Sequence, residues 1–185
     1  MIRVFHAGYD EIKSPDIHRG RVNADFGQGF YLSDNYDFAS RWVREKSSFD
    51  IIINSYELDE STLNIKYFER DSDWFKYIFS NRRSMQDELL EYDVIIGPIA
   101  NDTIFNTLGI MTSGFLSDDE AVKLLCVGPV YKQIVLKTQK AADNLKFIGS
   151  EKLSKDVIEK NKVLIAADEE AYLEEFSKVL EENML

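Results

Sequence analysis

The sequence predicts an α+β fold, on three observations. Several short apolar or alternating runs have strand length. Amphipathic stretches of helix length lie between and after them. No regular strand–helix–strand alternation of the kind that builds a parallel sheet is present. At 185 residues, 44% apolar and 12% aromatic, the composition is that of an ordinary globular chain long enough to bury a core. No repeat, linker or low-complexity tract divides it, so residues 1–185 read as one domain, with 150–185 as a C-terminal helical extension.

The elements follow in order. "IRVFH" (2–6) reads as a strand, and "SPDIHRGR" as a loop broken by Pro15 and Gly20. "GFYLS" (29–33) is a second strand. Asp34 or Asn35 can cap a helix over "YDFASRWVREK" (36–46), with Phe38, Ala39, Trp42 and Val43 on one face. "DIIINSYELD" (50–59) and "LNIKYFE" (63–69) are strands. "SDWFKYIFSNRRS" (72–84) is a helix that turns Trp74, Phe75, Ile78 and Phe79 inward, and "QDELLEY" either continues it or forms a separate turn. "YDVIIGPIA" (92–100) is a strand stopped by Gly97-Pro98. "SDDEAVKLLCVG" (117–128) starts acidic and stops at a glycine, so it reads as a helix. "YKQIVLKT" (131–138) is a late strand, and "QKAADNLKF" (139–147) a short helix leading into "FIG". "DEEAYLEEFSKVLEE" (168–182) is the last helix, with Tyr172, Phe176, Val179 and Leu180 on one face.

Several function classes are disfavoured at once. No apolar run reaches membrane-spanning length, and "MIRVFHAGYD" lacks the apolar core of a signal peptide. One cysteine, Cys126, and two histidines supply neither an internal disulfide nor a zinc constellation, so no metal is expected and a reducing cytoplasm fits best. A net charge of −11 argues against tight binding of bulk nucleic acid, which needs clustered Lys and Arg. Local basic groups remain: Arg19, Arg21, Arg41 and Arg44, and the pair Arg82-Arg83.

The stretch "DFGQGFYLS" (25–33) carries two glycines around one polar residue, then runs into a strand. Asp-Phe-Gly is a magnesium-binding element in protein kinases, but the glycine loop, lysine strand and catalytic loop of a kinase cannot fit in the 24 residues before Asp25. Gly27-Gln28-Gly29 lacks the third glycine of a dinucleotide fingerprint, and a strand follows where a helix is needed. A tight turn before a core strand is the plain alternative. His6, which ends the first strand in "VFHAG" before two small residues, offers this loop a partner; small residues let backbone approach a planar ligand. Strand alternation puts Gly29, Tyr31 and Ser33 on one face of "GFYLS", away from Phe30 and Leu32.

"FHAGYDEI" followed by "GFYLS" is similar to the opening of the His-Tyr-Glu class of ADP-ribosyltransferases. The longer pattern, "FHAGYDEI", "SPDIHRGRVNADFGQGFYLS", "YDVIIGPIAND" and "YKQIVLKTQKAADNLKF", resembles a poorly characterised bacterial family placed among ADP-ribosyltransferase-like toxins; it spans residues 5–147. The resemblance implies two small antiparallel or mixed sheets around an NAD cleft, flanked by helices, with NAD as co-substrate. It implies that His6 bonds a ribose hydroxyl, that the Ala7 backbone binds the nicotinamide carboxamide, and that Tyr31 stacks on the nicotinamide ring. Ser33 would share that face. Asp25, Gly27 and Gly29 would shape the loop under the pyrophosphate or ribose, which Arg19 and Arg21 would neutralise. Asn101 and Asp102, at a strand end, would join the site or serve only the turn. The third catalytic position falls on Gln133 where the class has glutamate, and Ala7 stands where glycine is usual. Glutamine can hold a hydroxyl but brings no charge and is no base. The expected activity is transfer of ADP-ribose to a macromolecule, with a protein acceptor favoured over nucleic acid, by a toxin or defence effector that an antitoxin would neutralise. The alternatives are a catalytically silent NAD-fold binding module and an NAD glycohydrolase.

Overall fold

A computed structural model of the chain describes residues 1–100 and 130–183. Strands β1 (Ile2–Gly8), β3 (Ile52–Leu58) and β7 (Leu145–Lys152) form an antiparallel sheet in the order β1-β3-β7. Strands β2 (Phe30–Leu32), β6 (Lys132–Leu136), β5 (Val94–Pro98) and β4 (Ile65–Tyr67) form a mixed sheet in the order β2-β6-β5-β4, with only β4 and β5 parallel. The helices are α1 (Tyr36–Ala39), α2 (Ser72–Arg82), α3 (Gln139–Asp143) and α4 (Lys155–Asn183), with a single 3-10 turn at Ile17–Arg19. The class is α+β with two sheets, as the pattern of elements predicts.

Alternation along the strands sorts side chains into layers. Ile134 and Leu136 of β6 join Val94 and Ile96 of β5, Phe30 and Leu32 of β2, and Val4, Tyr56 and Leu58 of the first sheet in one apolar cluster. Val135 and Ile95 point the other way, into a cluster that α2 closes with Trp74, Phe75, Tyr77 and Ile78. A third cluster, Ala7, Ile51, Ile53 and Leu153, covers the other face of the first sheet and takes Val157 and Ile158 from α4. Burying each such side chain fully stabilises by about 1.5–3 kcal/mol relative to exposure, which is why α2 packs despite only modest amphipathicity.

The two sheets are joined at one pair of residues. The Phe5 N–H donates to the Ser33 carbonyl at 2.8 Å, and the Ser33 N–H donates to the Phe5 carbonyl at 3.0 Å. The middle of β1 therefore meets the end of β2.

Four expected elements differ. The helix expected over 36–46 ends at Ala39. The carbonyl of Ser40 is claimed by Asn161 Nδ2 at 3.2 Å, and Trp42 and Val43 are buried in the third cluster by the chain turning. Phe147 lies in strand β7, not at the end of a helix: α3 stops at Asp143, and the strand runs on through eight residues. Ser55 faces Gly149 while Tyr56 faces Phe147, so Ile148 is the extra residue of a bulge in β7. Gly97 and Pro98 lie inside β5, opposite Gln133 and Lys132, rather than stopping it. The last helix begins at Lys155, not 168, with Ser154 Oγ accepting from the Val157 N–H at 3.4 Å. The segment "QDELLEY" forms a turn, not a continuation of α2. The helix expected over 117–128 lies outside the described residues, as do the side chains of Phe176, Val179 and Leu180.

Candidate functional site

His6 shares a face of β1 with Val4 and stacks on Phe30, with ring centroids 4.5 Å apart. Its Nδ1 lies 2.7 Å from the carbonyl oxygen of Tyr31. A carbonyl can only accept, so Nδ1 carries the proton. In the neutral ring Nε2 is then a bare acceptor, and it has no hydrogen-bond partner among the described residues. Burial pushes the imidazole pKa below 6.5, and the bond to Tyr31 pulls weakly the other way, so the ring is neutral at pH 7. Gly8 leaves the approach open: a Cβ there would stand 3.4 Å from Nε2.

The Ala7 side chain is buried in the third cluster. Its backbone is a different matter. In antiparallel pairing, successive N–H and C=O groups face opposite edges of a strand. Those of Phe5 face β2, so those of Ala7 face the same edge two residues on, beyond Ser33, where no further strand lies among the described residues.

The loop at 25–29 is held from within the protein. Tyr31 Oη donates to the Gly27 carbonyl at 2.7 Å and accepts from the Phe26 N–H at 3.0 Å. Burial pushes the Tyr31 phenol pKa far up, so it stays a donor, and Arg21 is near enough for its charge to act on it. Asp25 Oδ1 accepts from Arg82 Nε at 2.8 Å and pairs with Nη2 at 2.7 Å. Lys137 Nζ donates to the Phe26 carbonyl and pairs with Asp87 Oδ2 at 2.9 Å, and Tyr77 Oη donates to Asp87 Oδ1 at 2.9 Å. Gly27 has φ 71°, a conformation that side chains rarely adopt, and a Cβ there would stand 3.0 Å from Lys137 Nζ. Gly29 is needed for strand packing, since its Cβ would stand 2.6 Å from the Leu136 carbonyl oxygen.

Gln133 is 4% exposed and lies opposite Gly97. Its amide donates to the Pro98 carbonyl at a long 3.4 Å, an acceptor it shares with Trp74 Nε1 at 2.9 Å. The register of β2 on β6 puts Ser33 across from it, and Ser33 Oγ donates to the Lys132 carbonyl at 3.1 Å. Alternation sets Gln133, Ser33 and Tyr31 on the face that α2 covers, whereas His6 lies on the Phe30 side. The structure thus joins His6 to Tyr31 through a backbone carbonyl and aligns Phe5, Ser33 and Gln133 across three strands. Arg19 and Arg21 are exposed, with no ion-pair partner among the described residues. Asn101 and Asp102 lie outside the described residues.

Sequence reasoning missed the roles of Asn81, Asp87 and Lys137, and saw Arg82 only as half of a basic pair. Each lies tens of residues from the loop it holds, so no local motif could reveal them. Among the described residues, no three His, Cys, Asp or Glu side chains are grouped to hold a metal ion, and no helix is long and apolar enough to cross a membrane.

Fold and junction define a two-sheet α+β protein with a three-stranded and a mixed four-stranded sheet joined beside a neutral histidine. Residues 2–147 match the family described as "Protein of unknown function (DUF3990)", and the chain belongs to that family. No curated protein matches it.

Proposed function

We propose that the β1–β2 junction binds NAD and that the protein transfers ADP-ribose from it to a macromolecular acceptor. The observation that carries this reading is the junction itself. Beside one another it has the open Nε2 acceptor of His6 and an edge of β1 where the Ala7 N–H and C=O face outward. A ribose hydroxyl donates to Nε2, and a planar carboxamide pairs with the Ala7 backbone. The adjoining Tyr31, with its hydroxyl fixed by the loop, limits how the nicotinamide ring sits. In the reaction the bond from nicotinamide nitrogen to ribose breaks, nicotinamide leaves with the electron pair, and a nucleophile of the acceptor bonds the ribose carbon. Positive charge builds on the ribose, and a nearby carboxylate would stabilise it. Gln133 supplies none, so it serves at most to orient. The chain's charge of −11 favours a protein acceptor. A toxin or defence role, with an antitoxin partner in the cytoplasm, is the biological form of this reading.

A second reading is favoured by Gln133, whose amide is spent on Pro98 in a buried setting: a fold that binds NAD without cleaving it. Calorimetry with NAD, followed by nicotinamide release with and without bacterial lysate, separates the two. Binding lost in His6→Ala, with release that needs lysate, supports transfer. Release without lysate indicates a glycohydrolase. Binding without release indicates the silent module, and no binding at millimolar NAD removes the site.

A further inference from the structure

We propose that Lys137, held by Asp87, is a positioning residue that sets the 25–29 loop and through it the hydroxyl and ring of Tyr31 for ligand binding; this rests on the NAD reading of the β1–β2 junction.

The geometry is a chain of bonds with one end at the site. Tyr77 and the Leu89 N–H fix Asp87, at 2.9 Å each. Asp87 fixes the Lys137 ammonium, whose side chain is 5% exposed. That ammonium grips the Phe26 carbonyl. The next bonds run from the same short segment to Tyr31: the Phe26 N–H donates to its hydroxyl, and the hydroxyl donates to Gly27. The Tyr31 carbonyl in turn accepts from His6 Nδ1. Lys137 reaches the segment only because residue 27 has no Cβ, which would stand 3.0 Å from Nζ.

The arrangement is more than packing. Removing a lysine and an aspartate from water is costly, and apolar residues of similar shape commonly hold a fold equally well. What the pair adds is direction: an ammonium donates along fixed lines, and here one line ends on the loop that carries the Tyr31 contacts. Desolvation pushes the Lys137 pKa down and Asp87 pulls it back up, which fits an ammonium kept charged by its partner. Preorganised sites depend on such supports, since a misplacement of about 1 Å can cost on the order of a hundredfold in rate.

The paired variant Asp87→Asn/Lys137→Met removes both charges together and leaves no orphaned ion. Proton NMR reads amide exchange at Phe26 without ligand, and calorimetry reads NAD affinity. We expect an unchanged or higher Tm, faster exchange at the Phe26 amide, and NAD affinity lower on the order of tenfold to a hundredfold. Adding Tyr31→Phe should then weaken NAD little further, the non-additivity expected of residues acting through one another. Unchanged exchange and affinity overturn the proposal. So does faster exchange with NAD affinity intact while His6→Ala loses NAD, an outcome that leaves the NAD reading standing. A wild type that does not bind NAD removes both. Should the paired variant not fold, Tyr77→Phe deletes one hydroxyl from Asp87 and must shift the Phe26 amide the same way, by less; no shift there overturns the proposal.

Discussion

His6 has a neutral ring because half-burial against Phe30 outweighs its bond to the Tyr31 carbonyl. The unfolded chain protonates it near 6.5, the folded protein only at lower pH. Between those values the unfolded state holds more protons, so the stability His6 contributes is full above about pH 6.5 and falls as the pH drops towards the folded value. Urea denaturation at about pH 7.5 and about pH 5.5 checks this. Wild type should lose more stability on acidification than His6→Gln, which does not titrate; an equal loss would mean the ring is not desolvated. Gln133 gives a prediction of opposite sign. Gln133→Glu places a carboxyl in a 4% exposed position facing the Pro98 carbonyl, where only its protonated form can donate. Its pKa in the folded protein rises above the unfolded value. The variant is therefore nearest wild-type stability at low pH and loses ground as pH rises through the carboxylate range. A pH series of melting temperatures tests this, and a penalty that does not grow with pH would show that residue 133 reaches water.

At the scale of elements, glycines divide into those that contacts require and one that is free. A Cβ on Gly20 would stand 2.2 Å from the Gly29 carbonyl oxygen, backbone against backbone, with no flexible end to yield. Gly20→Ala should cost about 1–3 kcal/mol or more and weaken the seating of Gln28, whose amide bonds the His18 and Gly20 carbonyls. Gly149 in β7 has nothing within 4 Å of the same position, and its φ is not in the left-handed range. Gly149→Ala should stabilise by about 0.4–1 kcal/mol by restricting the unfolded chain. Denaturant titrations of both variants read the contrast, and equal effects would contradict the backbone contact at Gly20. The same scale explains what the sequence could and could not convey. Strands β3, β5 and β6 announce themselves because buried Ile, Val and Leu fill them. "LKFIGSEK" does not: it is an edge strand with Lys, Ser and Glu on its open side and a bulge at Ile148. Trp42 and Val43 imitate a helical face, yet they are buried by a turn after α1. His6, Tyr31 and the odd glycine loop stood out from local pattern. Their supports did not, because Arg82, Asp87 and Lys137 reach the loop through the fold and not through spacing.

At the scale of the molecule, the sheets meet at the Phe5–Ser33 bridge, and the family match ends at residue 147, inside β7. The chain then adds α4, 29 residues long, whose first turns cover the outer face of the first sheet with Val157 and Ile158. One polar contact fixes its register. Asn161, 9% exposed, donates through Nδ2 to Ser40 Oγ at 2.9 Å and to the Ser40 carbonyl at 3.2 Å. A second, Arg41 to Asp168 at 3.1 Å, lies nearly two turns further along the helix. Asn161→Ala leaves the Ser40 carbonyl without that donor in a buried place and should cost about 1–3 kcal/mol, a fall in Tm of about 2–4 °C for each kcal/mol in a chain of this size. The neighbouring Lys162 makes two ion pairs, to Glu45 at 2.7 Å and Glu159 at 2.6 Å, but it is exposed. Water and salt screen such pairs, so Lys162→Ala should leave Tm unchanged. Removal of residues 155–185 would uncover Ile51, Ile53 and Leu153 and should lower Tm more than Asn161→Ala does. Thermal melts of the three variants order these effects. If Asn161→Ala melts with wild type while the truncation melts early, apolar burial alone seats the helix; if the truncation also melts with wild type, α4 is no part of the cooperative fold.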